Sequence, residues 1–433
     1  MIAFRASFGD DVQSDLPAAA SCDGSGLSAC AGQAAAALER LGYVQIDTIS
    51  VVERAHHHVL WSRDREYRPA VLPTLEAPPR QAFEYWAHAA AYLPLSDYRY
   101  CLPRMKRIAT QGHDWFPTDY RVVDWVRDRI RADGPLRSQD FESDGARGPW
   151  WDWKPAKAAL EFLFQSGELM VAGRPGFQKL YDLAERVLPA DTDTSFPSDE
   201  EMGDWYVRRA AAALGVFNLR ELAYQRKDVT SGIADALDRA CEVGSLLSCL
   251  VQGPIDGLGS LAALTAGGSK SGDGVNAGKS GRNGSGQGAR SWCASGLLPR
   301  FAVCGASGFG AGNSGQGESV GVSSGDDDGR PVRILSPFDN LVIDRKRASR
   351  IFGLGYTIEC YVPAAKRKFG YFALPVFYQC RPVGLIDCKA DRKNKVLLVN
   401  RVGFDWGTDP VGGPDGFAEG FAEELAAFAA FNT

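Results

Sequence analysis

The chain has 433 residues, a formal net charge of −5, 45% hydrophobic and 23% charged residues, the balance of a soluble globular protein of about two to four domains. No run nears the roughly 18 apolar residues of a membrane span, and the opening Met-Ile-Ala-Phe-Arg leads into polar and acidic sequence rather than a secretory leader. The ten cysteines show no C-x-x-C spacing and no ligand cluster, which argues for free thiols in the cell interior and against a metal site.

Residues 1–33 carry no clear period, and the alanine-rich stretch 33–41 predicts a helix ending near Gly42. Apolar residues are dense over 43–60, broken by Gln45, Asp47 and the cluster 53–58, and residues 83–93 are aromatic and alanine-rich up to Pro94. Residues 120–131 place Val122, Val123, Val126 and Ile130 at helical spacing. Gly134-Pro135 break that helix, residues 136–142 predict a short second one, and 154–165 a third. In the third, Pro155 takes a tolerated first-turn position and Gly167 lies just past the end. Residues 168–173 and 177–181 then alternate around Arg174-Pro175-Gly176 as a β-hairpin. Three helices and a hairpin make a winged helix, whose third helix normally enters the major groove.

Residues 200–214, 218–224 and 229–250 repeat the three-helix pattern, without a wing in the expected place. Residues 253–329 hold 22 of the chain's 48 glycines, a composition that cannot bury enough apolar surface to offset chain entropy and predicts a disordered insertion. Its apolar islands, 260–266 and 297–303, read as remnants of the interrupted module. After Pro331, short strands at 356–362, 370–376, 381–387 and 395–402 predict a small sheet or barrel, and 417–431 an amphipathic closing helix. Between Arg345 and Arg401 there are thirteen Lys or Arg residues against Glu359, Asp387 and Asp391. A basic module inside an acidic chain is compatible with a DNA partner, because phosphate contacts are local.

Several long segments resemble, in order, the AlkZ/YcaQ-like winged-helix DNA glycosylases, known for unhooking interstrand crosslinks. They are LGYVQIDTISVVERAHHHVLWSR at 41–63, FEYWAHAAAYLP at 83–94, GPLRSQDFE at 134–142, WWDWKPAKAALEFLFQSGELMVAGRPGFQKLYDLAERVLP at 150–189 and LSPFDNLVIDRKRASRIFG at 335–353. The resemblance implies an α+β fold of tandem winged-helix modules followed by a C-terminal β-barrel. The implied division is a first module with the catalytic motif at 1–115, a second at 116–190, an interrupted third at 191–252, the insertion at 253–330, and the barrel-like domain with its terminal helix at 331–433. The stretch from Phe4 to Gly26 departs from the Arg- and Leu-rich helix with which the family usually begins.

The resemblance also implies the catalytic residues. Gln45-Ile46-Asp47 matches the Gln-apolar-Asp form of the family motif, the YcaQ-type branch, which acts on crosslinks and on simpler N7-alkylated purines. The residue types suit that chemistry. An N7-alkylated purine is already a cationic leaving group, so its bond to the sugar breaks through an oxocarbenium-like state with little acid catalysis. Asp47 can stabilise the developing cation and take a proton from water, while the neutral amide of Gln45 can fix that water. Without its context, Gln-x-Asp reads more readily as a buried polar pair or a helix cap at Asp47. No lysine lies near the motif, so a monofunctional enzyme without a Schiff base is expected, needing no cofactor.

Candidate DNA contacts are Arg54, His57 and Arg63 beside the motif, and Trp86 and His88, which with Tyr85 could wall the damaged base. Lys154, Lys157 and Arg174 lie on the recognition helix and wing, and Arg345, Lys346, Arg347, Lys366, Arg367 and Lys368 on the basic module. A packed core or a solvated basic face explains each as simply. His56, His57 and His58 cannot all face one metal ion from a regular element. The expected partner is double-stranded DNA bearing alkylated bases or crosslinks, the expected state a monomer, and the expected place the cytoplasm with the nucleoid, or a nucleus. The alternative is a non-catalytic winged-helix DNA-binding regulator.

Overall fold

The computed structural model describes residues 2–5, 24–112, 119–141, 153–224, 232–250, 290–295, 332–378, 381–405 and 414–433. The islands 260–266 and 297–303 and most of the 6–26 stretch lie outside them.

The first unit contains β1 (Ile2–Arg5), α1 (Gly24–Leu41), β2 (Val44–Gln45), α2 (Ala55–Trp61), α3 (Leu72–Glu76) and the hairpin β3 (Ala82–Trp86) and β4 (Ala90–Pro94). The hairpin joins β2 in a three-stranded sheet ordered β2-β4-β3. Its alternation explains the aromatic run of the sequence. Ala82 and Tyr92 face a core shared with α1–α3, while Phe83, Tyr85, Ala91 and Leu93 face the next unit. One hairpin thus serves two cores.

The second unit has α4 (Tyr98–Gln111), α5 (Tyr120–Asp133), β5 (Leu136–Arg137), α6 (Trp153–Gln165), β6 (Leu169–Gly173), β7 (Leu180–Leu183) and α7 (Ala184–Val187). The short helix expected at 136–142 is instead a two-residue strand paired with β7 and a 3-10 turn at Ser138–Phe141. The Asp140 carboxylate accepts from the Arg137 backbone at 2.7 Å and from its guanidinium, which caps the start of the 3-10 turn.

The third unit has α8 (Asp199–Leu214), β8 (Val216–Phe217), α9 (Leu219–Leu222), α10 (Gly232–Glu242), β9 (Leu246–Leu250) and β10 (Arg290–Ala294). Ser198 and Glu201 cap α8 reciprocally. A Cβ on Gly203 would stand 2.5 Å from the Gly232 carbonyl, so α8 and α10 meet backbone to backbone. The strand β10 lies inside the stretch expected to be disordered. It pairs with both β8 and β9 and puts Trp292 into this unit's core.

The C-terminal part carries β11 (Val332–Ile334), α11 (Arg345–Phe352), β12 (Ala373–Tyr378), β13 (Arg381–Asp391), β14 (Val396–Phe404) and α12 (Pro414–Asn432). Its sheet is ordered β1-β14-β13-β12-β11 and antiparallel throughout. Among the described residues it is an open sheet and not the expected barrel, because β1 and β11 form opposite edges that do not pair. Both faces are covered without closure, one by the core of the first unit and α12, the other by α11 and residues 354–369. Residues 356–362 form no strand. Glu359 there accepts from the backbone nitrogens of Lys368, Phe369 and Gly370 at 2.7–3.2 Å, which bends the segment into a loop.

The N-terminal and C-terminal parts are therefore welded. Val332, Leu374, Ile386 and Phe428 pack in one continuous core with Leu38, Val59 and Leu75. Glu424 of α12 is fully buried, pairs with Arg65 at 2.6 Å and accepts from the Ile334 nitrogen at 2.9 Å. No described helix is long and apolar enough to cross a membrane.

Candidate active site

Gln45 pairs with Ala91 at the end of β2, and the last ladder bond runs from the Ile46 nitrogen to the Ala90 carbonyl at 2.8 Å. Asp47 follows at once. Its Oδ1 accepts from the Ile49 nitrogen at 2.7 Å, an Asx turn that ends the strand. Both side chains are half-buried. Burial holds the Asp47 carboxyl above its ordinary range, opposed by the Ile49 N–H. Burial and then the Asp47 charge push up the thiol of Cys360, and the exposed phenol of Tyr361 is raised in part by the same charge. The loop of the C-terminal part thus stands beside Asp47.

His88 occupies the β3–β4 turn, where the Ala87 nitrogen donates to the Ala89 carbonyl at 2.9 Å. Its Nε2 lies 3.0 Å from Gln45 Oε1. Tyr43 and Tyr224 pack against the ring, each with centroids 5.2 Å away. Behind it opens a cavity of about 80 Å³ bordered by Tyr43, His88, Tyr224, Asn340, Asp344 and Arg347.

The loop after Asp47 is held by residues far along the chain. The Ala390 nitrogen donates to the Val51 carbonyl at 2.8 Å, and Arg392 donates to the carbonyls of Ser50 and Val52. Asn432 Oδ1 accepts from the Glu53 nitrogen at 2.5 Å. On the other side Asn340 donates to the Tyr43 carbonyl at 3.2 Å, and Asp339 forks onto Arg63. These two belong to the SPFDN segment quoted above, and no periodicity assigned them a role. Their partners are remote, so only the folded chain reveals that they steady the motif.

The cations expected to meet DNA divide into two groups. Arg63 pairs with Asp339, and Arg174 pairs with buried Glu84, its Nη2 at 2.7 Å from Oε2. Arg345 donates to the carbonyls of Val342 and Pro337 and lies over the Tyr356 ring, and buried Arg347 donates to the carbonyls of Leu214 and Val216. These four guanidinium groups are tied to partners inside the fold. Lys157, Lys346, Lys366 and Lys368 are exposed, and Arg367 is half-buried over Tyr371. Arg54 lies over Phe177 with its guanidinium 3.9 Å from the ring centre, and half-buried Trp86 has Arg104 across its face. The side chain of Lys154 is outside the described residues.

Tyr85 is buried and donates to the Gln165 carbonyl at 2.7 Å, which removes it from a base-facing wall. The three histidines of α2 diverge. His56 stacks on Phe177, His57 Nδ1 meets the Tyr67 hydroxyl at 2.8 Å, and His58 Nε2 donates to the Ile334 carbonyl at 2.9 Å. Burial pulls all three below the ordinary histidine range, His58 to about 4, so they are neutral at physiological pH. Among the described residues no cysteine is in a disulfide.

The family model for the AlkZ-like DNA glycosylases matches residues 38–273 and 313–431, which includes the Gln45–Asp47 motif, His88 and the loop beside them. The chain belongs to the AlkZ-like DNA glycosylase family. Its fold is similar to that of the Streptomyces sahachiroi DNA glycosylase AlkZ, with a TM-score of 0.50, 14% sequence identity, and coverage of 92% of this chain and 91% of that one. As an AlkZ-like protein the chain has a DNA glycosylase role in repair, with DNA as its substrate.

Proposed function

We propose that this AlkZ-like chain is a monofunctional glycosylase that hydrolyses the N-glycosidic bond of N7-alkylated purines in duplex DNA and also unhooks interstrand crosslinks. It works as a monomer, with Gln45 and Asp47 at the reacting sugar. The three helix-and-sheet units act as winged-helix modules that hold the duplex. The exposed cations Lys157, Lys346, Lys366 and Lys368 meet phosphates, a role extended to Lys154 from its place on the same helix as Lys157, and Arg54, His57 and Trp86 line the approach to the motif.

The observation that supports this reading is the half-buried Asp47 carboxylate, one residue past the β2 ladder and beside Gln45. A partly desolvated carboxylate stabilises a sugar cation more strongly than one in water and is a better base toward the attacking water. The base carries its own positive charge, so its departure needs no acid. Residues 41–63 contain no lysine, in keeping with direct attack by water.

The test is a duplex carrying a single N7-methylguanine, incubated with the protein and then treated with alkali. Strand scission that depends on alkali and disappears in Asp47→Asn is the expected result. Binding without scission by the wild-type protein would favour a DNA-binding regulator.

A further inference from the structure

We propose that His88 is the positioning residue that sets the polarity of Gln45, turning its amide nitrogen, and not its oxygen, toward the attacking water. This rests on the glycosylase reading above and adds which atom of Gln45 works. A glutamine amide has one donating end and one accepting end of equal size, and sequence does not choose between them. The side chain placed to choose is His88.

His88 Nε2 lies 3.0 Å from Gln45 Oε1. In the proposed polarity the amide oxygen is on the ring side, where it accepts from a protonated ring nitrogen, and the Gln45 NH2 group is the end left for the reaction. The ring is held in place. Tyr43 meets it from the segment that leads into β2, and Tyr224 from the third unit, just past α9. The Tyr224 hydroxyl donates in turn to the Ile343 carbonyl at 3.2 Å. Two remote parts of the chain thus converge on one imidazole, which touches the catalytic motif through Gln45.

The polarity matters to the chemistry. A water between Asp47 and the Gln45 NH2 group donates one O–H to the carboxylate and accepts from the amide, leaving a lone pair for C1′ of the sugar. As the new C1′–O bond forms, the water proton passes to Asp47. The C1′–N9 bond breaks, and its electron pair neutralises the cationic purine as it leaves. An amide oxygen in the same place would compete with Asp47 for the departing proton and could not keep it.

Histidine-selective 15N labelling of the full-length chain gives five imidazoles, and the signals lost in His88→Gln are those of His88. At neutral pH the Nε2 signal of His88 is expected to be of the protonated, pyrrole type. In single-turnover and steady-state assays on N7-methylguanine duplex, His88→Ala should lower kcat by about 10²-fold with little change in KM, the signature of a misplaced group. His88→Gln, which still offers an N–H, should recover most of that loss. His88→Glu, which offers only acceptors when ionised, should not. A pyridine-type Nε2 at His88, or a His88→Glu protein as active as wild type, overturns the assignment. Wild-type protein with no alkali-dependent scission overturns the glycosylase reading instead, and Asp47→Asn with full activity overturns the role of Asp47 as proton acceptor.

Discussion

Arg63 and Asp339 lie 276 residues apart in sequence and meet in a forked ion pair, with Arg63 Nη2 donating to Asp339 Oδ1 at 2.8 Å and Nη1 donating to Oδ2. The aspartate side chain is fully buried and the arginine is 12% exposed. Next to Asp339, Asn340 holds the carbonyl of Tyr43, two residues before Gln45. The pair therefore fastens the C-terminal part to the segment carrying the catalytic motif.

Removing one partner of such a pair strands the other charge away from water. Asp339→Ala should cost about 3 kcal/mol in urea unfolding and lower glycosylase activity along with it. The exposed pair Arg131–Asp128, with side chains 57% and 72% exposed, is the control. Alanine at Asp128 should change stability by less than about 1 kcal/mol. Equal losses at both sites would mean that the buried pair fastens nothing.

Asp47 must be ionised to accept a proton, and burial raises its pKa. The acid limb of kcat against pH should therefore lie above the range of an exposed aspartate. The same shift has a stability cost of known sign. A raised folded-state pKa favours the protonated form, so its contribution is present at acid pH and lost as pH rises through that pKa. At neutral pH Asp47→Asn should abolish turnover and raise Tm by about 1–3 °C. A drop in Tm would show that the carboxylate is there for structure.

Glu76, at the end of α3, is buried near Glu84, Arg80 and Arg174. Burial and the Glu84 charge push its carboxyl up to about 8, the two arginines opposing. Stability from the protonated carboxyl should be complete at acid pH and decline from the ordinary carboxylate range up to about pH 8. Glu76→Gln keeps the shape without the titration. Its Tm advantage over wild type should grow between pH 5 and about pH 8 and then level off. Parallel Tm curves across that range would sink the assignment.

Lys366 and Lys368 are exposed at the loop that leads to β12. If both meet phosphates, the double alanine variant should weaken duplex binding and reduce the slope of log K against log salt by roughly two, with Tm unchanged. Trimming Arg345 or Arg347 should instead cost stability first, because their guanidinium groups cap backbone carbonyls inside the fold.

What the sequence by itself determined was local. Val123, Val126 and Ile130 at helical spacing became the buried stripe of α5, and Gln45-Ile46-Asp47 was marked out by its resemblance to the family motif. Hydrophobic spacing and short motifs act within a few residues, so they can be read along a line. The β10 strand escaped notice because five residues among glycines show no period, and its pairing with β8 and β9 supplies the order that composition lacked. Only the tertiary structure decided which arginines are spent on Asp339, Glu84 and backbone carbonyls and which lysines stay in water. Only it placed the His88 imidazole within hydrogen-bond distance of Gln45. Charge and hydrogen-bond partners are chosen by distance in space, and here that distance closes over tens to hundreds of residues.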